Sequence, residues 1–174
     1  YHLITEPKEI DDWIKEAEQI GEVAVDTETS SLDPHQADLI GVSLSTKIGK
    51  ACYIPIGHNS KKSINKDLVL KKLKPMLEDS SIKKIGQNIK FDFIVLFKHG
   101  INISSMEDTM LMSYVLDAGK NRHNMDTLAE IHLEHKTIAF KDLVGTGKKE
   151  INFREVDIEK AKDYAAEDAD ITFR

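Results

Sequence analysis

The stretch Val23-Ala24-Val25-Asp26-Thr27-Glu28 (VAVDTE) joins an apolar run typical of a core strand to two carboxylates. Residues i and i+2 of a strand point to the same side, so Asp26 and Glu28 share one face. Their Cα atoms are then roughly 7 Å apart, at a rise of about 3.3 Å per residue. Two like charges this close repel, and one stays protonated unless a positive charge joins them. A divalent cation is the usual partner, so the stretch predicts a core strand that ends in a cation site.

The composition describes an ordinary globular chain. Its 174 residues are 40% hydrophobic and 31% charged, enough for one domain with a substantial core. The net charge of −6 argues against a broad basic surface that coats nucleic acid, but not against an enzyme whose acids hold cations. Cys52 is the single cysteine, which excludes an internal disulfide and fits a reducing compartment. No apolar run approaches the roughly 20 residues that span a bilayer, so we expect no membrane partner.

Hydrophobic periodicity divides the chain into strands followed mainly by helices, and Asp108 and Asp126 are the expected N-caps of two helices. The short links between the first strands, one with glycine at Ile48-Gly49-Lys50, favour antiparallel neighbours. This order predicts an α/β fold with a mixed central sheet flanked by helices. The predicted strands cover 22–28, 39–45, 51–56 and 83–87, and the predicted helices cover 7–20, 66–78, 88–99, 108–116, 126–135 and 157 to the end.

The domain organisation predicted from these patterns is a single domain, residues 1–174. The first residues, Tyr1 to Ile4, already have a strand pattern and no initiator methionine precedes them. The last residues follow a helical pattern without a capping glycine or proline. We therefore interpret the sequence as one domain of a longer protein.

Two further acids occupy helix positions that should be buried. Asp92 shares a face with Ile89, Phe93, Leu96 and Phe97, and Asp168 lies one turn after Tyr164 on an apolar stripe. The stripe consists of Ala161, Tyr164, Ala165, Asp168 and Ile171. A lone buried carboxylate costs several kcal/mol, so each of these acids needs a partner or a metal.

Each acid alone also has a purely structural interpretation. Asp92 could pair with a lysine, and Asp168 could lie at the edge of its stripe. All four acids together form a set of oxygen ligands suited to Mg²⁺ or Mn²⁺. His132 and His135 are spaced for metal binding, but with a single thiol in the chain we interpret them as surface residues rather than a zinc site.

Five segments, in this order along nearly the whole chain, resemble one protein family. They are DTETSSLDP (26–34), GQNIKFD (86–92), DTMLMSYVLDAG (108–119), NMDTLAE (124–130) and YAAEDAD (164–170). Together they resemble the 3'-5' proofreading exonuclease domain of bacterial DNA polymerase I, a member of the DEDDy exonucleases with a ribonuclease H-like fold. The Tyr-x-x-x-Asp spacing of Tyr164 and Asp168 is the feature that separates the tyrosine group of these enzymes from the histidine group.

The resemblance implies a role for each matching residue. It implies that Tyr164 orients the attacking water, and that Leu32 and Phe140 pack against the terminal bases. Gln87, Asn88 and Arg122 match residues that contact a single strand, and Phe91 stands where relatives often have tyrosine. The implied metal ligands are Asp26, Glu28, Asp92 and Asp168.

The resemblance also implies an activity and its partners. The activity is hydrolysis of the terminal phosphodiester of DNA with release of nucleoside 5'-monophosphates, for proofreading in replication and repair. The implied cofactors are two divalent cations, Mg²⁺ or Mn²⁺, with Zn²⁺ also acceptable at one position. The implied partners are single-stranded DNA or a frayed 3' end and a polymerase domain in the same chain. We expect the isolated domain to be a monomer, and the full chain to work in the bacterial cytoplasm at the nucleoid.

Three alternatives remain at the level of sequence. An RNA-trimming exonuclease of the same fold would share the acids but not the surrounding motifs. A non-catalytic scaffold module would have no need of four intact acids. A regulatory cation-binding domain would leave Tyr164 and the base-contacting residues without a role.

Overall fold

The computed structural model describes all residues from Tyr1 to Arg174. One six-stranded mixed sheet, in the order β1-β4-β3-β2-β5-β6, carries helices on both faces. The strands are β1 (His2–Leu3), β2 (Glu22–Thr29), β3 (Leu39–Lys47), β4 (Lys50–Pro55), β5 (Lys83–Gly86) and β6 (Met106–Asp108). The helices are α1 (Glu9–Ile20), α2 (Lys66–Glu78), α3 (Ile89–Phe97), α4 (Thr109–Asp117), α5 (Met125–Leu133), α6 (Phe140–Val144) and α7 (Ile158–Phe173).

Strand β2 lies near the middle of the sheet, antiparallel to β3 and parallel to β5. Its register places Asp26 opposite Ser43 and Glu28 opposite Gly41. The β3 residues beside the two acids are therefore small. The buried Tyr53 ring of β4 fills the space that a side chain at Gly41 would take.

The two faces of the sheet are packed differently. One face carries large aliphatic side chains, with Val23 and Val25 of β2 in a core of 23 buried residues that α1, α2 and α3 complete. On the other face, α7 packs directly on β2, β3 and β4. Alanines line this contact, among them Ala165, Ala166 and Ala169, each fully buried. Small side chains let the helix axis approach the strands closely, and this approach brings α7 over the ends of the acidic pair.

Most of the predicted elements are confirmed. The strands at 22–28, 39–45 and 51–56 exist within one or two residues, and they pair antiparallel as expected. Helix α2 spans the predicted residues, and Asp108 caps α4 by accepting bonds from the amides of Met110 and Leu111. The mixed sheet flanked by helices agrees with the predicted α/β class.

Some details of the prediction are wrong. Helix α1 begins at Glu9 rather than Pro7, and Asn124 rather than Asp126 precedes α5 as its N-cap. Asp126 instead accepts a bond from the Thr137 hydroxyl. Phe97, expected on the inward face of α3, is 58% exposed, because the buried face of this short helix runs through Ile89, Asp92, Val95 and Leu96. The three-residue strand β6 and the five-residue helix α6 were not predicted.

Helix α4 is apolar in sequence, yet none of its residues is buried. Leu111, Val115 and Leu116 are exposed, with Val115 at 85%. The neighbouring Phe97 and Met106 are also exposed, so the surface continues onto α3 and β6. No helix in the structure combines the length and the apolar character needed to cross a membrane.

Gly41 should be indispensable for packing beside Glu28. A Cβ atom at this position would lie 2.1 Å from the Tyr53 hydroxyl oxygen and 2.3 Å from its ring, and Tyr53 is fully buried. We expect Gly41→Ala to lower the free energy of unfolding by about 1–3 kcal/mol, the usual range for overpacking. Urea denaturation measures the loss. In a Tyr53→Leu background, which removes the ring, the same substitution should cost clearly less; an equal cost would contradict the steric explanation.

Candidate active site

Three carboxylates converge where the end of β2 meets α7. Asp26 and Glu28 project from β2 and Asp168 from α7, and one oxygen from each lies within 4.8 Å of the other two. Glu28 and Asp168 are buried and Asp26 is half-buried. The alternation of the strand and the close approach of the alanine-lined helix are together sufficient to create this cluster.

Asp92 is the fourth acid, and α3 carries it. Its Oδ1 atom accepts bonds from the backbone amide of Thr27, at 2.9 Å, and from the Thr27 hydroxyl, at 2.6 Å. Thr27 lies between the two strand acids, so these bonds fix Asp92 beside them. The N-terminus of α3 is held in turn by Asp108, whose carboxylate accepts from the amides of Asn88 and Ile89.

Crowding shifts the protonation of the whole cluster. Burial raises the pKa of Asp26 from its ordinary value of 3.8 to about 6. Burial, and then the charges of Asp26, Asp168 and Asp92, raise the pKa of Glu28 well above its usual range. Burial and Asp26 likewise raise the pKa of Asp168, and also that of Asp92, although the bonds from Thr27 oppose the shift at Asp92. The cluster is therefore unstable as four free anions and favours the arrival of positive charge.

The donor set fits a divalent cation. Carboxylate oxygens are the ligands that Mg²⁺ and Mn²⁺ prefer, and the three converging acids offer them at one point. The Oε1 atom of Glu28 is buried and has no hydrogen-bond partner in the protein. A buried carboxylate oxygen without a partner is costly, and a cation at this point would satisfy it.

Tyr164 stands one helical turn before Asp168, close enough that its hydroxyl opposes the rise in the pKa of the Asp168 carboxyl. Burial, followed by the charges of the nearby acids, raises the pKa of the phenol, so Tyr164 stays protonated at neutral pH. Its ring lies among aromatic neighbours, with centroids 5.8 Å from Phe140 and 6.2 Å from Phe153. A neutral hydroxyl on a packed ring can donate or accept a hydrogen bond beside the acids.

Four of the residues expected to contact DNA lie in loops or at the starts of helices. Leu32 is 95% exposed in the loop after β2, and Phe140 is 44% exposed at the start of α6. Arg122 is exposed before α5, and Asn88 adopts a left-handed conformation, with φ 58°, at the start of α3.

Two of the expected DNA contacts are partly engaged within the protein. The Gln87 amide donates to the carbonyl of His123 and accepts from the Thr109 hydroxyl. Phe91 is half-buried against the large core. Neither interaction was anticipated, because the tertiary neighbours of these side chains leave no local pattern.

The interpretation of His135 as a surface residue is wrong, and Phe153 has no counterpart among the predicted site residues. His135 is half-buried, and its Nε2 lies 2.8 Å from the buried Glu167 carboxylate, so it is not a simple surface residue. Phe153 contacts Tyr164 from a short 3₁₀ turn that begins with a capping box between Asn152 and Glu155. The Asn-x-x-Glu spacing of that box was visible in the sequence and could have located the turn.

Comparison with known proteins decides the family. A family model described as 3'-5' exonuclease matches residues 1–174, the whole chain. The chain belongs to the 3'-5' exonuclease family. The convergence of acids on β2, α3 and α7 is therefore the candidate active site of an exonuclease domain, and the resemblance noted from the motifs is confirmed.

Similar proteins include polymerases and free-standing nucleases. The exonuclease is 43% identical over 180 residues to DNA polymerase I of Pseudomonas aeruginosa and 41% identical over 175 residues to that of Borreliella burgdorferi. Each alignment covers the whole chain, which spans 20% and 19% of the two polymerases.

Solved structures agree with this family. Brucella melitensis NrnC with bound Mg²⁺ has a TM-score of 0.68 at 26% identity, covering 99% of the exonuclease and 74% of NrnC. Trypanosoma brucei RNase D has a TM-score of 0.76 at 14% identity, covering 99% of the exonuclease and 62% of RNase D, and so shares the fold. The ribonuclease H-like fold expected from the motifs is confirmed by these neighbours.

The raised pKa of Asp26 predicts how stability depends on pH. A carboxyl with a higher pKa in the folded state favours folding at low pH, and this contribution is lost as pH rises from about 4 to about 6 and beyond. In chelator at pH 7.5, we expect Asp26→Asn to be more stable than wild type by on the order of 2 kcal/mol, or roughly 4–8 °C in Tm. The difference should shrink towards pH 4.5. Thermal unfolding across this range measures it.

The matched control is Glu22→Gln, on the same strand but outside the cluster, which should follow the wild-type pH profile. Added Mg²⁺ should raise the Tm of wild type more than that of Asp26→Asn, because a cation stabilises the form that binds it. If Asp26→Asn were less stable than wild type at every pH in chelator, the explanation that crowding of the buried acids destabilises the cation-free protein would be wrong.

Proposed function

We propose that this exonuclease hydrolyses the terminal phosphodiester at the 3' end of DNA and releases a nucleoside 5'-monophosphate. The observation that carries the proposal is the convergence of Asp26, Glu28 and Asp168 beside the hydroxyl of Tyr164. These groups offer cation ligands and a neutral hydrogen-bonding hydroxyl at one point, a combination suited to cation-assisted hydrolysis.

The four acids are the proposed ligands of two divalent cations, Mg²⁺ or Mn²⁺, with Zn²⁺ also acceptable at one position. Asp26, Glu28 and Asp168 would hold one, and Asp26 with Asp92 the other. When bound, the cations would supply neutralisation of phosphate charge and easier ionisation of the attacking water. Thr27 contributes by holding the Asp92 carboxylate in place through two hydrogen bonds.

Tyr164 is the proposed orienting group for the water. Its phenol stays protonated, so it can hold a water by a hydrogen bond without itself taking the proton. Glu28 has a buried Oε1 free of other partners, which could also accept a bond from the terminal 3'-hydroxyl. Such a bond would select the end of a strand over an internal position.

The exposed apolar side chains of Leu32 and Phe140 are the proposed contacts to the terminal bases. Apolar and aromatic side chains stack on unpaired bases regardless of base identity. Asn88, Phe91 and Arg122 are proposed to contact the strand further along. Gln87 could join them only by giving up one of its internal bonds.

We also propose that the domain, residues 1–174, works within a longer polymerase chain and serves proofreading in replication and repair. Its DNA polymerase I relatives are about five times as long, and they support this proposal. The uncovered apolar surface of α4 is consistent with packing against another part of such a chain. By the same relation to bacterial polymerases, the proposed location is the bacterial cytoplasm at the nucleoid, and the isolated domain is proposed to be a monomer.

Trimming of RNA is the second candidate. An RNA-trimming exonuclease would use the same four acids on the same fold, which the chain shares with Brucella melitensis NrnC bound to pGG at 29% identity and a TM-score of 0.68. The identity to DNA polymerase I is higher, at 43%. DNA is therefore the preferred substrate in this proposal, and RNA is the competitor that an assay must include.

The central experiment compares end-labelled DNA and RNA strands incubated with Mg²⁺, Mn²⁺ or a chelator. We expect stepwise shortening of DNA from the 3' end with either cation and none in chelator. Asp26→Ala should lower the rate by roughly 10²-fold or more, because Asp26 lies in both proposed ligand sets. Retention of more than about a tenth of wild-type activity would exclude the two-cation mechanism. Faster cleavage of RNA would instead favour the second candidate.

Tyr164→Phe isolates the hydroxyl. The substitution keeps the ring and its packing, so we expect a large fall in kcat with little change in affinity for single-stranded DNA. Steady-state kinetics and a binding titration on the same oligonucleotide separate the two effects. Equal weakening of binding and turnover would make Tyr164 a substrate-binding residue rather than an orienting group.

The proposed packing of Leu32 and Phe140 against unpaired terminal bases predicts a preference among DNA ends. A matched duplex must melt before its 3' phosphate reaches the acids, at a cost of about 1.4 kcal/mol per base-pair step, and a mispaired end has already lost part of this stability. We expect cleavage fastest on single strands, slower on mismatched ends and slowest on matched duplex. A time course on three DNAs with the same 3' sequence tests the order. Equal rates on single strand and matched duplex would contradict the proposal that Leu32 and Phe140 hold unpaired terminal bases.

A further inference from the structure

Phe153 packs against the ring of Tyr164, and no motif or proposed role accounts for it. Its side chain is buried, with 2% exposure. Its ring centroid lies 6.2 Å from that of Tyr164 and 6.1 Å from that of Phe140, and the two phenylalanine rings are nearly parallel, at 6°. The ring centroid of His58 lies 5.6 Å from that of Phe153. These separations are within the range at which aromatic rings attract one another.

The backbone around Phe153 is fixed by its own sequence. Asn152 accepts from the amide of Arg154, and Glu155 accepts from the amide of Asn152, forming a reciprocal capping box. The carbonyl of Phe153 accepts a further bond from the amide of Val156. The backbone of Phe153 is therefore held in place, and its ring forms a fixed surface against which the Tyr164 ring packs.

The same turn is attached to the loop that follows β2. The Asn152 side chain donates to the carbonyl of Ser30 at 3.1 Å, and the Arg154 guanidinium pairs with Asp38 at 2.9 Å. The amide of Asn59 also donates to the carbonyl of Arg154. Hydrogen bonds thus attach the turn that carries Phe153 to the loop directly after the strand of Asp26 and Glu28, although the two segments are far apart in the chain.

We propose that Phe153 is a positioning residue for the exonuclease reaction, which fixes the ring of Tyr164 so that its hydroxyl is held at the acids. This inference rests on the proposed role of Tyr164. Phe153 itself is buried and so offers no surface for the substrate to contact. The other aromatic neighbour of Tyr164, Phe140, is 44% exposed and is proposed to contact bases, so it cannot serve as a constant support.

Loss of the Phe153 ring should therefore act on turnover rather than on binding. Phe153→Leu keeps an apolar side chain but removes the flat surface against which Tyr164 packs. The Tyr164 ring then gains rotational freedom, and misplacement of a catalytic group by about 1 Å can cost up to about 10²-fold in rate. We expect kcat on single-stranded DNA to fall about tenfold while KM changes less than about twofold.

The decisive experiment is a double-mutant cycle with Tyr164→Phe, measured as kcat on one labelled single strand with Mg²⁺. If Phe153 acts through the Tyr164 hydroxyl, Phe153→Leu should slow the wild-type enzyme about tenfold but the Tyr164→Phe enzyme by less than about twofold. A purely structural role would slow both backgrounds by the same factor. That equal loss, or a wild-type kcat for Phe153→Leu, would overturn the inference.

The control for general destabilisation is Leu73→Ala, a fully buried position in the core on the opposite face of the sheet. It should lower Tm at least as much as Phe153→Leu and leave kcat unchanged well below its Tm. The measurements distinguish a failure of the proposed role of Tyr164 from a failure of the inference about Phe153. Full activity of Tyr164→Phe would overturn the orienting role of Tyr164 and the inference with it, whereas an impaired Tyr164→Phe with equal losses in the cycle would overturn the inference alone.

Discussion

The close approach of α7 to the central strand is the constraint on which the rest of the site depends. Alanines on the helix face the sheet, and the β3 residues beside the acids, Ser43 and Gly41, are small, with the buried Tyr53 ring filling the space above Gly41. A larger residue at this interface would lift Asp168 away from Asp26 and Glu28. The requirement for a cation site therefore extends to residues that never touch a cation, because they set the distance at which the acids meet.

The close approach of α7 to the central strand has an electrostatic cost, because it brings carboxylates together. Four carboxylates lie near one another, three of them buried and Asp26 half-buried, and each has its pKa raised, chiefly by burial. Hydrogen bonds from Thr27 relieve Asp92 in part, but Glu28 retains an oxygen without a partner. A protein selected for stability alone would replace such a cluster by apolar side chains. Its presence in a well-packed interface is best explained by a function that needs unneutralised oxygens until cations and substrate arrive.

The sequence predicted the elements whose pattern is local. Helix α2, the three antiparallel strands and the cap at Asp108 follow from periodicity, turn residues and side-chain capping, which act within a few residues. The acids could be identified from the sequence because each is a charged residue on a strand or helix face that is otherwise apolar. The errors arose where tertiary packing decided. The pairing of β6 at the sheet edge, the exposure of Phe97 and the burial of His135 against Glu167 depend on neighbours distant in the chain, and no local pattern encodes them.

The site combines a rigid centre with an exposed rim, and the two are supported differently. Asp26, Glu28 and Asp168 stand on the central strand and the helix packed on it, whereas Leu32 and Phe140 project from a loop and a five-residue helix. Catalytic groups need positions fixed to a fraction of an ångström, while the base contacts proposed for Leu32 and Phe140 would need adaptable surfaces. Phe153 lies between these two regions, since its ring packs on both Tyr164 and Phe140. The turn that carries Phe153 is hydrogen-bonded to Ser30, Asp38 and Asn59, so Tyr164 keeps a packed neighbour when the exposed Phe140 side chain moves.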